Sequence, residues 1–345
     1  MISVVGKYIS LFALLIAVAL AALISGAFPI GPAEGLMALV SPNTASIDAR
    51  DVYVVRELRL PRLIGALVIG ALLGGSGMVM QGLFRNPLAD PGLIGVSSGA
   101  ALFAVGALFF GLSTASAFLG IPIHFVLPVL AFTGALVAAT LALRLSLVSG
   151  RAVMSILLLV GICIQFFGGA LTSLFVFASD DESLRSITFW LMGGFAGISS
   201  DMLPVILIVG APALAVLWRH HSEIDLLALG EVQAEATGVD VKRIRKRMVL
   251  VAAIAVGLSV AFSGVVGFIG LAAPHLARLI FGARHRLSLP GAMLLGALLA
   301  ASSDLLARLI VLPKELPVGI VTAFLGTPFM LFLLLKLRRK MGFAA

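Results

Sequence analysis

Two uncharged apolar stretches, 63–84 and 93–110, enclose the polar, proline-punctuated segment Arg85-Asn86-Pro87-Leu88-Ala89-Asp90-Pro91-Gly92. Each stretch is long enough to cross a bilayer core of roughly 30 Å, which takes about 20 helical residues. The segment between them is therefore expected at a water boundary. Asn86 and Asp90 are good helix N-cap residues and each precedes a proline, which is tolerated at the first helical position, so one helix can stop and the next begin abruptly. Arg85 places this boundary on the cytoplasmic side by the positive-inside tendency.

The same reading extends over the whole chain, which is 61% hydrophobic and 12% charged. Its mean hydropathy is +1.17, whereas soluble domains carry about 25% charged residues. Uncharged runs predict an all-α polytopic membrane protein, a single transmembrane domain over 1–345 with about ten spans. They lie near 8–28, 63–84, 93–110, 125–143, 152–178, 202–218, 248–264, 265–281, 289–309 and 317–335. The seventh and eighth are separated only by Ser263, Gly264 and the glycine-rich stretch 267–270.

With an even number of spans both termini share one face. Lys7, Arg85, Arg144, Arg151, Arg219, the run Lys242-Arg243-Ile244-Arg245-Lys246-Arg247, Arg278, Arg284, Arg286 and the tail Lys336, Arg338, Arg339, Lys340 all fall on it, and that face is expected to be cytoplasmic. The net charge of +8 then reflects topology and anionic lipid headgroups, with no need of nucleic acid. Lys7 precedes an apolar run of about 20 residues, too long for a signal-peptide core of about 7–15, so a retained first span is expected. The lone Cys163 lies within the fifth span, where a free cysteine is expected to act as a small buried hydrophobe.

Several motifs imitate chemistry. Gly95-Val96-Ser97-Ser98-Gly99 fits the G-x-S-x-G pattern, but that nucleophile needs a strand-to-helix elbow and a histidine partner, and here the pattern opens a membrane helix. Gly70 and Gly74 are spaced for close helix packing, and no Gly-Lys-Ser/Thr follows them as a phosphate loop requires. His124, His220, His221, His275 and His285 form no metal-ligand spacing, so neither a metal site nor a catalytic residue is expected. His275 reads as a packing residue beside Pro274. Asp304 is the one acidic candidate within a span, and it stands four residues before Arg308, the spacing of an intrahelical ion pair. An ion-coupled carrier, which generally needs such a group near the midplane, is thereby poorly supported.

The longest polar insertion runs from Asp225 to Arg247. Leu226, Leu227, Leu229, Val232 and Ala236 alternate with Glu231, Gln233 and Glu235, Gly230 interrupts, and Gly238 can stop a helix. Two short helices on the inner face are expected. The pattern alone suits a solvated loop as well as a docking surface.

Taken in order, Arg59-Leu60-Pro61-Arg62, 82–92, Leu229-Gly230-Glu231, Gly267-Phe268-Ile269-Gly270-Leu271-Ala272-Ala273-Pro274-His275-Leu276-Ala277-Arg278 and Glu315-Leu316-Pro317-Val318-Gly319 resemble the signatures of the permeases that import iron siderophores, haem and vitamin B12. The resemblance covers essentially the whole chain. It implies a type II ATP-binding-cassette importer of the bacterial inner membrane. Two permeases, by default a homodimer, would form the path, a periplasmic binding protein would deliver the ligand, and two cytoplasmic ATPases would use ATP and Mg on separate chains. This chain itself would bind no cofactor.

Position by position, the resemblance implies that Arg59, Arg62 and Arg308 face outward and pair with acidic knobs on the binding protein; without it, Arg59 and Arg62 read as arginines snorkelling at a span's end. Asn86 and Leu88 match the cytoplasmic gate loop. Leu229, Gly230, Glu231, Glu235 and Gly238 match the coupling helices that seat in the ATPase. The stretch 184–190 resembles that of haem permeases, with Arg185 a candidate contact for an anionic ligand. Haem is the favoured cargo, then a ferric siderophore, then cobalamin. The rival classes are an ion-coupled secondary transporter and an intramembrane hydrolase acting through Ser97 or Ser98.

Overall fold

The computed structural model describes residues 3–40 and 48–340, and these are almost wholly helical. In chain order the helices are α1 (Val4–Ile24), α2 (Pro32–Val40), α3 (Ala49–Tyr53), α4 (Leu60–Phe84), α5 (Val96–Phe110), α6 (Leu112–Leu119), α7 (Ile123–Leu145), α8 (Met154–Ala178), α9 (Asp181–Met192), α10 (Leu203–Arg219), α11 (His221–Leu229), α12 (Glu231–Ala236), α13 (Val241–Ser263), α14 (Ile269–Phe281), α15 (His285–Leu309) and α16 (Val318–Lys340). A π-helical stretch, Val54–Arg59, joins α3 to α4, and a two-residue hairpin, Leu147–Val148 with Arg151–Ala152, joins α7 to α8. Side chains at 332–334 and 336–340, including the basic tail, lie outside the described ones.

Each of the ten expected spans coincides with a helix, but the lengths differ. Among the described residues seven helices are long and apolar enough to cross a membrane, eight if α5 and α6, bent by 102° at Gly111, count as one. The span expected at 63–84 belongs to a continuous helical rod from Ala49 to Phe84. The eighth is shorter than expected: α14 begins only at Ile269, because the backbone at 264–268 leaves the helix with positive φ at Gly264 and Phe268. Backbone from two distant segments packs against this break. Ser263 O accepts from the Gly194 N–H at 2.7 Å, and Gly193 O accepts from the Val318 N–H at 2.9 Å. Irregular backbone of this kind is tolerated in a membrane protein where it is buried in protein.

The centre of the bundle is α4, whose residues from Ile69 to Leu83 are nearly all buried. Its glycines are the reason. A methyl carbon at Gly70 would collide with the Gly296 carbonyl and stand 2.6 Å from the Ala300 Cβ, while one at Gly74 would collide with the Ala292 carbonyl. Such backbone-to-backbone approach is how small residues stabilise helix pairs in lipid, where apolar burial against another helix gains little over burial in acyl chains. Around this axis pack α13, α14 and α10, while α5 joins α7 through Gly99 and Gly134 in the same manner.

Outer helices leave large side chains uncovered. On α8, Leu159, Phe166, Phe167, Leu174 and Phe177 are all exposed, as is Cys163, which was expected to be buried. The thiol lines an apolar groove with Phe103, Val137 and Phe167. An apolar exterior is what a lipid-facing surface requires, so burial within one chain was the wrong measure of Cys163's environment.

The glycine contacts make a mutational expectation. Gly74→Leu should overpack the α4–α15 seam and destabilise by about 1–3 kcal/mol or more, read as a lower melting temperature of the detergent-purified chain. Gly169→Leu, where a Cβ meets nothing within 4 Å, should leave it unchanged; equal melting of both variants would refute the seam as a stability determinant.

Candidate functional site

The candidate residues gather at the two ends of the bundle. At one end, Arg59, Arg62 and Arg308 line a pocket of about 450 Å³ together with Glu57, Ser199 and Glu315. The sequence reading had them facing outward, but Arg59 and Arg308 are only 7% and 4% exposed. Their guanidinium groups turn inward to the C-terminal end of α1. Arg59 donates to Leu23 O at 2.8 Å and to Phe28 O, and Arg308 donates to Ala22 O at 3.1 Å and Ser25 O at 3.2 Å. The last carbonyls of a helix lack intrahelical partners and carry partial negative charge, so two arginines there satisfy and neutralise them.

Asp304 holds this group together. Its carboxylate lies 2.8 Å from Arg62 Nε and 3.3 Å from Arg308 Nε, so the expected intrahelical pair exists but is shared with α4. Arg62 has a second partner, Glu315, at 2.7 Å. Glu315 is 39% exposed in its side chain against 3% for Asp304, which makes it the exchangeable partner on the rim. Burial of the Asp304 triad costs desolvation that only full pairing offsets, and that leaves little for a midplane proton relay.

Arg62 and Glu315 also form one wall of a neighbouring cleft of about 560 Å³. His124, Phe189, Trp190 and Phe262 line it, with residues 193–197 and 263–264. Arg185 is not part of this lining. It is exposed on α9 and stacks its guanidinium 5.9 Å from the ring centre of Phe189, one turn away, which does reach the cleft. The amphipathic α9 that carries both residues was not foreseen as a helix, although its N-cap Asp180 and the acidic pair Asp181 and Glu182 are ordinary start signals.

At the other end sit the hinge after α4, the hairpin, α11, α12 and the basic start of α13. The hinge is built as its sequence suggests, with one change. Asp90 caps a short 3-10 turn, Pro91–Ile94, accepting from the Gly92 N–H at 2.7 Å. Asn86 starts no helix; its side-chain oxygen accepts from the Leu88 N–H at 2.9 Å, an Asx turn that competes with capping. Arg85, with φ of 50°, ends α4 in the left-handed conformation. Asn86 is exposed and Leu88 half-buried. Gln165 on α8 donates to Gly92 O at 3.2 Å, which ties the hinge to the helix beside the apolar groove.

The two short helices expected in the 225–247 insertion are α11 and α12, although α11 begins before it, at His221. Gly230 breaks them at φ 147° and ψ 149°, a conformation that favours glycine. Leu229 and Val232 on either side of the break are 73% and 77% exposed. Below them α12 is fastened: Glu231 pairs with Arg245 at 2.7 Å and Glu235 with Arg151 at 3.3 Å. Gly238, at φ 86°, turns the chain towards α13. The Arg245 hydrogen bond holds the Glu231 carboxyl below its usual range. A lowered folded-state value means that this pairing is fully present above about pH 4.3 and is lost as pH falls through the folded value.

Motifs that imitated chemistry have plain partners. Ser98 Oγ donates weakly to Gln165 O at 3.4 Å, and His275 meets Phe329 edge-on with ring centres 5.9 Å apart. No group of three or more potential metal-binding side chains occurs among the described residues.

Comparison with known proteins assigns the arrangement. The chain is 42% identical over 298 residues, 86% of its length and 87% of the relative's, to the hemin transport system permease protein HmuU of Yersinia pestis. It is 42% identical over 285 residues, 82% and 83% of the two chains, to the vitamin B12 import system permease protein BtuC of Vibrio cholerae. A solved structure described as an inward-facing conformation of a metal-chelate type ABC transporter superposes with a TM-score of 0.80 at 31% identity, over 97% of this chain and all of that one. The profile of the FecCD transport family matches residues 14–336, and this multi-pass membrane protein belongs to that family.

Proposed function

We propose that the chain is the permease subunit of an ATP-driven importer in a bacterial inner membrane, carrying a metal chelate from periplasm to cytoplasm. The observation that carries this reading is the inner-end helix pair. Leu229 and Val232 stand out into solvent from a glycine-broken turn whose reverse side is locked to the bundle by Glu231–Arg245 and Glu235–Arg151. Exposed large apolar residues on a rigid base suit a protein partner better than a solvated loop. The partner is an ATPase chain, so ATP and Mg act there. Both termini lie on its side, the cytoplasmic side, where the basic residues gather.

In this reading two copies of the chain enclose the path, Asn86 and Leu88 narrow its cytoplasmic exit, and the aromatic cleft near Phe189 and Trp190 receives cargo from a periplasmic binding protein. Arg62 is the docking arginine with an exchangeable partner; Arg59 and Arg308 shape the pocket behind it. The similarity to both a hemin and a vitamin B12 permease supports a metal-bearing macrocycle as the cargo class, with haem first, and a ferric siderophore as the next alternative. An ion-coupled carrier is less favoured, because Asp304 is already neutralised by two arginines.

Reconstitution with its ATPase and binding protein tests the proposal. Haem should enter proteoliposomes only with ATP present, and uptake driven by an ion gradient without ATPase would overturn it. In the same system Gly230→Val with Glu231→Lys should cut cargo moved per ATP at least tenfold while hydrolysis continues.

For docking, Arg62→Gln, which removes the charge without setting a carboxylate beside the buried Asp304, should slow association of the binding protein, with a difference from wild type that shrinks at high salt, since charges beyond about 8–10 Å are screened there. A single exposed pair is worth only about 0.2–1 kcal/mol, so the expected effect is a few-fold. Identical association rates at low salt would remove Arg62 from the docking surface.

A further inference from the structure

Resting on the importer reading, one further feature links the two ends. The helix pair α4–α15 is fastened at three levels. At the outer end Arg62 on α4 pairs with Asp304 on α15 at 2.8 Å. In the middle the backbones touch through Gly70, Gly74 and Gly296. At the inner end both helices are clamped to α11. Asp225 accepts from the His285 backbone N–H at 3.0 Å and pairs with the His285 ring Nδ1 at 2.7 Å, so a carboxylate from α11 caps the N-terminus of α15. Arg85, which ends α4, donates to Leu227 O of α11 at 3.0 Å. A Cβ at Gly82 would stand 2.7 Å from Ile224 and 3.0 Å from His285, so α11 lies directly against α4 as well.

We propose that α4 and α15 act as one strut joining the binding-protein pocket to the ATPase-facing turn, and that Asp225 and His285 are the positioning residues that fasten its inner end. Arg59, Arg62 and Arg308, the arginines at the outer pocket, all lie on this strut or on the π-helical stretch continuous with it. Leu229, the exposed inner residue, closes the helix that Asp225 and Leu227 anchor. Glycine-to-carbonyl packing leaves no slack for α4 and α15 to slide separately, so displacement at either end is passed along the pair. By contrast α12 is tied through Glu231 and Glu235 to α13 and the hairpin. The break at Gly230 therefore divides two attachments, one to the inner ends of the strut and one to α13 and the hairpin.

A coupling route is established by coupling energy, not by position, and the test measures it. ATPase activity of the full complex in proteoliposomes is recorded with and without the cargo-loaded binding protein. Wild type should be stimulated. Asp225→Ala, which removes the cap and the ring partner, should lose at least nine-tenths of that stimulation, while Asp225→Asn, which keeps an acceptor oxygen in place, should recover most of it. Arg85→Ala, which releases the other fastening, should show the same loss and serves as the second variant where Asp225→Ala fails to assemble. Full stimulation of Asp225→Ala or Arg85→Ala in an assembled complex overturns the strut. A wild type that the binding protein does not stimulate or bind overturns instead the importer reading on which the strut rests.

Discussion

The packing of α4 against α15 is the constraint on which the rest depends. Two helices whose backbones meet at Gly70, Gly74 and Gly296 leave no space for side chains between them. Their remaining faces are therefore free to gather α1, α10, α13 and α14. The ends of such a seam become natural places for charge. At the outer end the Asp304 carboxylate can serve arginines from both helices, and at the inner end the free N-terminus of α15 can accept a carboxylate from outside its own chain segment.

The same economy of backbone groups explains the arginines at the outer pocket. Sequence motif and structure agree on which residues come together and differ on where they point. A guanidinium offers five donors in a fixed fork, and α1 ends beside it with carbonyls that have no other helical partner. Arg59 and Arg308 take that local opportunity. Arg62 pairs instead with carboxylates, one buried and one at the rim.

The spans were legible because they are dictated by the thickness of a bilayer, a single length that uncharged runs either meet or do not. The signals at Asp90, Gly230 and Gly238 were legible for a similar reason, since one local conformation suits each. What escaped was set by tertiary contact. The late start of α14 goes with backbone packed on the break from far away in sequence: Gly193 and Gly319 closely approach the Val265 carbonyl, and Gly194 donates to Ser263 O. Asn86 folds back on Leu88 instead of opening a helix, and its sequence permits either. Asp225 and His285 are 60 residues apart, and neither carried any mark of the other; the insertion was visible, its anchor was not.

The backbone at 263–264 and 193–194 bears on how the outer cleft can change over time. Its lining includes Gly193, Gly194, Gly197 and Gly264, which present only main chain, beside side chains such as His124, Phe189 and Trp190. Substitution can rewrite the walls one residue at a time, but it cannot delete a main-chain carbonyl. A cleft of this design can change the shape and chemistry of its sides while the main chain that lines it stays the same.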